Sequence, residues 1–270
     1  MPKEFEVHRE VVLPAGPQDV FAAVSAATGA WMFPKEEVPA VGGTGPGDAG
    51  VVAWEPPGRF AVRVEGEDGW FNSLEYLIEP REPGTTLLRY THRGVFAEDW
   101  ENRFDACDRH TDFYLHTLGQ YLGHFNGRPV VYAAAEGPAA SAGPDGFDLL
   151  LDELHLDKEV RVGDRLSVEL DEVGVLEAEV DYRTPQFLGL RAADGLYRFF
   201  GRNAFGGPVG VTVHLFGDGV DPERTGRAWQ AWLDGLYGGS DDSGSNDSGS
   251  NDSGSNDSGS DGSGSDGSGS

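Results

Sequence analysis

Cysteine is nearly absent. Cys107 is the only one in 270 residues, so the chain can form no internal disulfide and no cysteine-based metal site. Positive charge is scarce as well: 20 Lys and Arg stand against 46 Asp and Glu, for a formal net charge of −26. Binding to a phosphate backbone or an anionic surface needs a basic footprint, and none is present, so neither nucleic acid nor membrane insertion is expected. Nowhere do eighteen apolar residues run together, and the opening MPKEFEVHREVVLP lacks both the apolar core of a signal peptide and transit-peptide character. The expected location is the cytoplasm. Also missing are the G-x-x-x-x-G-K phosphate loop, any G-x-G-x-x-G that opens a helix as a dinucleotide loop does, the G-x-S-x-G elbow and H-E-x-x-H. The run Gly42 to Gly47 has neither the Lys nor the following helix that phosphate binding requires, and reads as a mobile loop. No cofactor, metal or catalytic residue is expected.

Apolar surface is missing from the whole C-terminal stretch. Residues 240–270 contain only Ser, Gly, Asp and Asn, which leaves nothing to offset the entropy of ordering them, so 239–270 is expected to be a disordered tail. Seven Asp lie in it, and the rest of the chain still carries −19.

What is present is clearest between Gly84 and Phe125. In GTTLLRYTHRGVF, Leu88, Tyr90 and His92 alternate with Arg89, Thr91 and Arg93, the pattern of a strand with one buried face. After a short acidic turn, Phe104, Cys107, Thr111, Tyr114, Leu118, Tyr121 and Phe125 recur at steps of three and four, an apolar stripe along about six turns of helix. Glu101, Asp105, Asp108, Arg109, Asp112 and Gln120 fall on the other side. Asp108, Asp112 and His116 share a face, but as the polar one opposite the core it reads as solvated and not as a metal site. A helix this long with one apolar side needs a broad partner, which the neighbouring strands supply as a curved antiparallel sheet.

Upstream, residues 4–13 alternate as a first strand, and Pro17 opens a short helix through Val20, Phe21 and Val24. Trp31-Met32-Phe33-Pro34 follows, then a Gly/Pro-rich loop over 38–50. Strands over 51–55, 60–65 and 70–79 are separated by Pro56-Pro57-Gly58 and Glu67-Asp68-Gly69. The pieces PQDVFAAV, Gly50-Val51-Val52 leading into WEPPGRFAVRVE, and GTTLLRYTHRGV come in an order and spacing that resembles the Bet v 1/START-like (SRPBCC) superfamily. Within it, residues 4–125 are most similar to the C-terminal domain of the Hsp90 ATPase activator. The resemblance implies an α+β helix-grip fold, a curved antiparallel sheet wrapped around a long C-terminal helix.

After Gly127-Arg128-Pro129 the same program runs again. A strand over 130–135, a short helix marked by Phe147, Leu150, Leu151 and Leu154, and alternating segments over 165–190 follow in order. Gly206 to His214 repeats the eight-residue step from Gly84 to His92, and Trp229, Trp232, Leu233 and Leu236 form a closing helical stripe. The expected organisation is therefore a START-like domain over 1–128, a diverged second copy over 129–238 with a smaller or collapsed cavity, and the tail.

The resemblance further implies a cavity between sheet and helix that in various members holds an apolar small molecule. The residues whose period points there are Trp54, Phe60, Tyr76, Tyr90, His92, Cys107, His110 and Tyr114, with Trp31 and Phe33 at the mouth. Plain core packing is the competing reading for each. His92 is either an acid/base group or a structural imidazole capping its strand. Two functions follow from these alternatives: a noncatalytic binder of a small apolar ligand, or a cofactor-independent enzyme of the polyketide cyclase/dehydratase type. A co-chaperone role is the least expected, since the similarity begins within a few residues of Met1 with no domain ahead of it.

Overall fold

Two left-handed glycines mark corresponding places in the chain. Gly84 (φ 66°) and Gly206 (φ 84°) each precede the last strand of an antiparallel sheet, a backbone region that costs little without a Cβ. The computed structural model describes residues 2–34 and 50–238. The expected mobile loop and the expected tail lie outside those residues.

The first sheet contains β1 (Lys3–Leu13), β2 (Val51–Glu55), β3 (Arg59–Glu65), β4 (Phe71–Arg81) and β5 (Thr85–Phe96), in the order β1-β5-β4-β3-β2. All neighbours are antiparallel, and β2 to β5 form a meander whose last strand pairs with β1. Helix α1 (Pro17–Ser25) begins with Pro at its first position and buries Val20, Phe21 and Val24. Helix α2 (Trp100–His124) follows β5. This is the helix-grip arrangement that the resemblance implies.

The second sheet holds β6 (Val131–Glu136), β7 (Arg165–Leu170), β8 (Gly174–Arg183), β9 (Phe187–Arg191), β10 (Gly195–Phe200) and β11 (Gly210–Leu215). Its order, β6-β11-β10-β9-β8-β7, has the same logic with one strand more: a meander whose last strand returns beside the first. Helix α3 (Gly146–Glu153) occupies the place of α1, and α4 (Pro222–Gly238) closes the chain as α2 closes the first half. The side chains of Trp229, Trp232, Leu233 and Tyr237 on α4 are buried against this sheet, each contributing on the order of 1.5–3 kcal/mol of transfer free energy. Strand β10 is the one element that sequence periodicity passed over.

The main correction concerns α2. Part of its supposedly solvated side is covered by the second sheet. Phe113 and Thr117 are buried, Phe113 packs on Phe187 and Phe200, and His116 lies beside Asp181 and Tyr182. Asp108 and Asp112 keep a polar environment on that side, where Arg9 of β1 reaches Asp108 at 2.8 Å and Asp112 at 2.5 Å, and the exposed Arg109 pairs with Asp105 at 2.8 Å. Side chains of β10 show how the layers are built. Leu196, Arg198 and Phe200 point to the α2 side, whereas Tyr197 and Phe199 meet Trp229 of α4. The layers run from the first sheet through α2 and the second sheet to α4. The division at residue 128 therefore separates two topological halves that share packed surface, with Leu196 and Phe216 belonging to the same core as α1 and β4.

Candidate functional site

Cross-strand register lines up a single wall on the concave face of the first sheet. Phe60, Tyr76 and Tyr90 are neighbours across β3, β4 and β5; Val62, Leu74 and His92 form the next row; Val64, Asn72 and Gly94 form the third. Side chains at directly opposed positions share a face, so the three rows stand together. Gly94 has a steric role in its row, because a Cβ there would come 2.6 Å from the Phe5 ring. That ring instead takes the space and sets its edge against the His92 imidazole, with centroids 4.9 Å apart. Opposite the wall, α2 presents Cys107, His110, Thr111, Tyr114 and Leu115 at helical steps of three and four.

Between them lies a cavity of about 620 Å³, within the usual range for small-molecule sites. Nine of the ten residues singled out from sequence line it: Trp31, Phe33, Phe60, Tyr76, Tyr90, His92, Cys107, His110 and Tyr114. Trp54 does not. Its ring packs edge-on to Phe21 and Phe60, behind the wall, as part of the core. Trp31 also needs correcting, since it is a buried wall residue whose indole N–H donates to the Ala23 carbonyl at 2.9 Å, not a residue of the mouth. Phe33, Pro34 and Val64 are the exposed lining residues, Phe33 and Val64 at 43% and 51%, and mark the opening.

The electrostatics are those of a neutral container. No Asp, Glu, Lys or Arg is found among the described residues that line it. Burial pushes the Tyr76 and Tyr90 hydroxyls well above the ordinary phenol range, so both remain protonated donors. Burial, reinforced by the nearby Asp108 carboxylate, pushes the Cys107 thiol up to about 11. The same desolvation lowers His110, whose Nδ1–H donates to the Ala106 carbonyl at 2.7 Å while its ring rests against Phe187, Phe200 and Phe205 of the second half. His110 is thus a neutral floor residue.

His92 is placed differently. Its Nε2 lies 2.6 Å from Asn72 Oδ1, and its Nδ1 lies 3.2 Å from Cys107 Sγ. Sequence reasoning missed Asn72, although the inward row Leu74, Tyr76, Ile78 reaches it when extended back by two residues. Val62, Val64, Met32 and Leu115 were also missed as lining residues. Asp108, Asp112 and His116 do not converge: the carboxylates take Arg9 and the imidazole lies 3.5 Å from Asp181. Among the described residues no group of three or more His, Cys, Asp or Glu could hold a metal ion, and no helix is long and apolar enough to cross a membrane.

No family model matches the chain, and no curated protein matches it by sequence. Solved structures do. The di-domain ARO/CYC protein BexL from the BE-7585A biosynthetic pathway is 12% identical with a TM-score of 0.36, the match covering 86% of this chain and 94% of that one. Protein MLL2253 from Mesorhizobium loti is 19% identical with a TM-score of 0.36, covering 45% of this chain and 98% of its own. The Aha1 dimer from Colwellia psychrerythraea is 16% identical with a TM-score of 0.35, covering 44% and 96%. These are likenesses of fold at low identity.

Proposed function

We propose that the chain binds a small, apolar, uncharged molecule in the cavity between the first sheet and α2. The observation that carries this is a space of about 620 Å³ with no formally charged side chain among its described lining residues, in a protein of net charge −26. Excluding charge from this one concave surface favours a guest that brings none, because a buried unpaired charge is far costlier than an apolar contact. In this reading residues 1–128 hold the ligand and residues 129–238, a diverged second copy, are structural. Support for the second part comes from the four buried side chains of α4 packed on the second sheet.

The test is a fluorescence titration with the neutral apolar probe N-phenylnaphthylamine, compared between the wild type and Leu74→Phe, which puts a larger ring into the cavity wall. Saturable binding that weakens tenfold or more in the variant supports the reading; no saturable binding, or equal affinity in both proteins, overturns it. Native mass spectrometry of the protein purified from its own host would then identify a retained ligand.

A second reading, a cofactor-independent enzyme of the cyclase/dehydratase type, is favoured by one observation: His92 and Tyr90 both face the cavity. It requires turnover of a bound substrate, with loss of activity in His92→Gln while binding persists.

A further inference from the structure

The polar groups in the cavity wall stand in a line. Asn72 Oδ1, His92 and Cys107 Sγ are joined by contacts of 2.6 Å and 3.2 Å, and all three residues line the cavity. With Nε2–H donating to the amide oxygen, the Nδ1 lone pair is directed at the thiol, which is the tautomer a general base requires. The three residues come from β4, β5 and α2, and cross-strand pairing of Leu74 with His92 and of Asn72 with Gly94 keeps the amide and the imidazole adjacent. A thiol, a base within hydrogen-bond reach and a third group orienting that base is the general arrangement of an activated nucleophile.

We propose that Cys107 covalently captures an α,β-unsaturated carbonyl compound held in the cavity, with His92 as the base and Asn72 positioning His92. This rests on the cavity being a binding site for apolar molecules, as proposed above. As Sγ bonds to the β carbon of the guest, its proton passes to His92 Nδ1 and the C=C pair moves onto the α carbon and carbonyl oxygen as an enolate. The imidazolium then returns the proton to the α carbon. One S–C and one C–H bond form, one S–H bond and one C=C π bond are lost, nothing leaves, and no further reactant is required. The Tyr90 hydroxyl, on the same wall and held protonated by burial, is a donor for the carbonyl oxygen. Acyl transfer to the same thiol would have to expel a leaving group and then admit water to an apolar space, whereas addition closes on itself.

A buried neutral thiol is a poor target for reagents dissolved in water, because the thiolate is the nucleophile. Capture therefore depends on the guest entering the cavity and on the base beside the thiol. The probe is nonenone, a linear nine-carbon enone, with its saturated counterpart nonanone as an unreactive competitor, both used on the full-length protein. Intact-mass and peptide analysis should show one adduct, on Cys107, formed at least about tenfold faster than alkylation by iodoacetamide at equal concentration. Nonanone should slow it. His92→Gln should slow addition about a hundredfold when compared at saturating nonenone, Asn72→Ala should slow it less, and Asn72→Asp should restore it. Cys107→Ser should bind nonanone and form no adduct. If nonanone binds but nonenone leaves no adduct, or if H92Q reacts as fast as wild type, capture is overturned and the binding reading stands. If neither ketone binds, the binding reading falls and capture falls with it.

Discussion

The same strand position serves opposite purposes in the two halves. His92 on β5 and His214 on β11 each follow a left-handed glycine by eight residues and each belong to the strand that pairs with the first strand of its sheet. His92 faces a cavity. His214 is buried to 1%, and its Nε2–H donates at 2.8 Å to the Met32 carbonyl, next to Phe33 at the cavity opening. The difference lies in what covers each sheet. The first has one face on α1 and α2 and the other in solvent, with Arg59, Arg63, Arg89 and Arg93 paired to carboxylates there. The second is covered on both faces, by α2 and by α4. The first sheet can therefore leave its concave side partly empty, while the second has to satisfy polar groups in the layer it shares with α2. Two sheets of like strand order thus yield one half with a cavity and one packed on both faces, and His214 of the second holds the Met32 carbonyl beside the cavity opening.

The comparison breaks most sharply at the buried ion pair beneath α2. Arg198 donates to both Asp181 oxygens, at 3.1 and 3.0 Å, and through Nε to the Thr117 hydroxyl at 2.8 Å. Burial alone would raise the Asp181 carboxyl, but Arg198 and His116 outweigh it and hold it below its ordinary value. Arg198→Met leaves that buried carboxylate with only His116 beside it, at 3.5 Å, and should cost about 3 kcal/mol. Urea unfolding measures it. Replacing both partners, Arg198→Met with Asp181→Leu, should recover most of the loss. Were R198M as stable as the wild type, the second sheet would not be the doubly packed layer described here.

His214 gives the next largest effect. Desolvation lowers its imidazole from 6.5 to about 4 in the folded chain. Between those values the unfolded state binds the extra proton, so stability is complete above about pH 6.5 and falls as pH drops through that window. From pH 7 to pH 5 the loss from this residue is about 2 kcal/mol. Burial lowers His110 as well, which adds loss of the same sign. His214→Gln keeps a donor for Met32 and should remove the His214 share. Unfolding curves at the two pH values, for both proteins, would show an unchanged pH dependence if the assignment is mistaken.

A smaller effect is expected in the container. Leu74→Phe adds bulk where there is room, so stability should change by less than about 1.5 kcal/mol, in either direction, even as the apolar probe is displaced. A large destabilisation would mean that the wall is as tightly packed as the second half.

Elements with a clean period were legible in the sequence: the alternation of Leu88, Tyr90 and His92, and the stripe from Phe104 to Phe125. The candidate residues in these two patterns, Tyr90, His92, Cys107 and Tyr114, line the cavity. Two features were not legible. Strand β10 is buried on both faces, so LYRFF shows no alternation to count. The second buried row of α2, Ala106, His110, Phe113 and Thr117, was hidden because a helix with acidic residues between its apolar ones reads as having a single inner face. That row was present at steps of four, three and four, and the side chains of the second sheet that meet it lie more than sixty positions further on. Trp54 shows the complementary limit, since strand period assigns a face but not whether the ring on it meets a void or another ring.

The smallest effect is expected on α4, and it isolates what α2 has and α4 lacks. Glu223 and Arg227 form an i,i+4 pair at 3.5 Å with side chains 84% and 70% exposed. Both ions keep most of their water, so their mutual attraction is screened and partly cancelled by the entropy of holding two long side chains together. Glu223→Gln should change stability by less than about 0.5 kcal/mol, against several for the Arg198–Asp181 pair. The two pairs have similar chemistry and differ in whether a second layer lies over them. A measured cost for E223Q near that of R198M would mean that α4 also carries a covered outer face in solution, by contact with another molecule, and the four-layer description would then need a fifth.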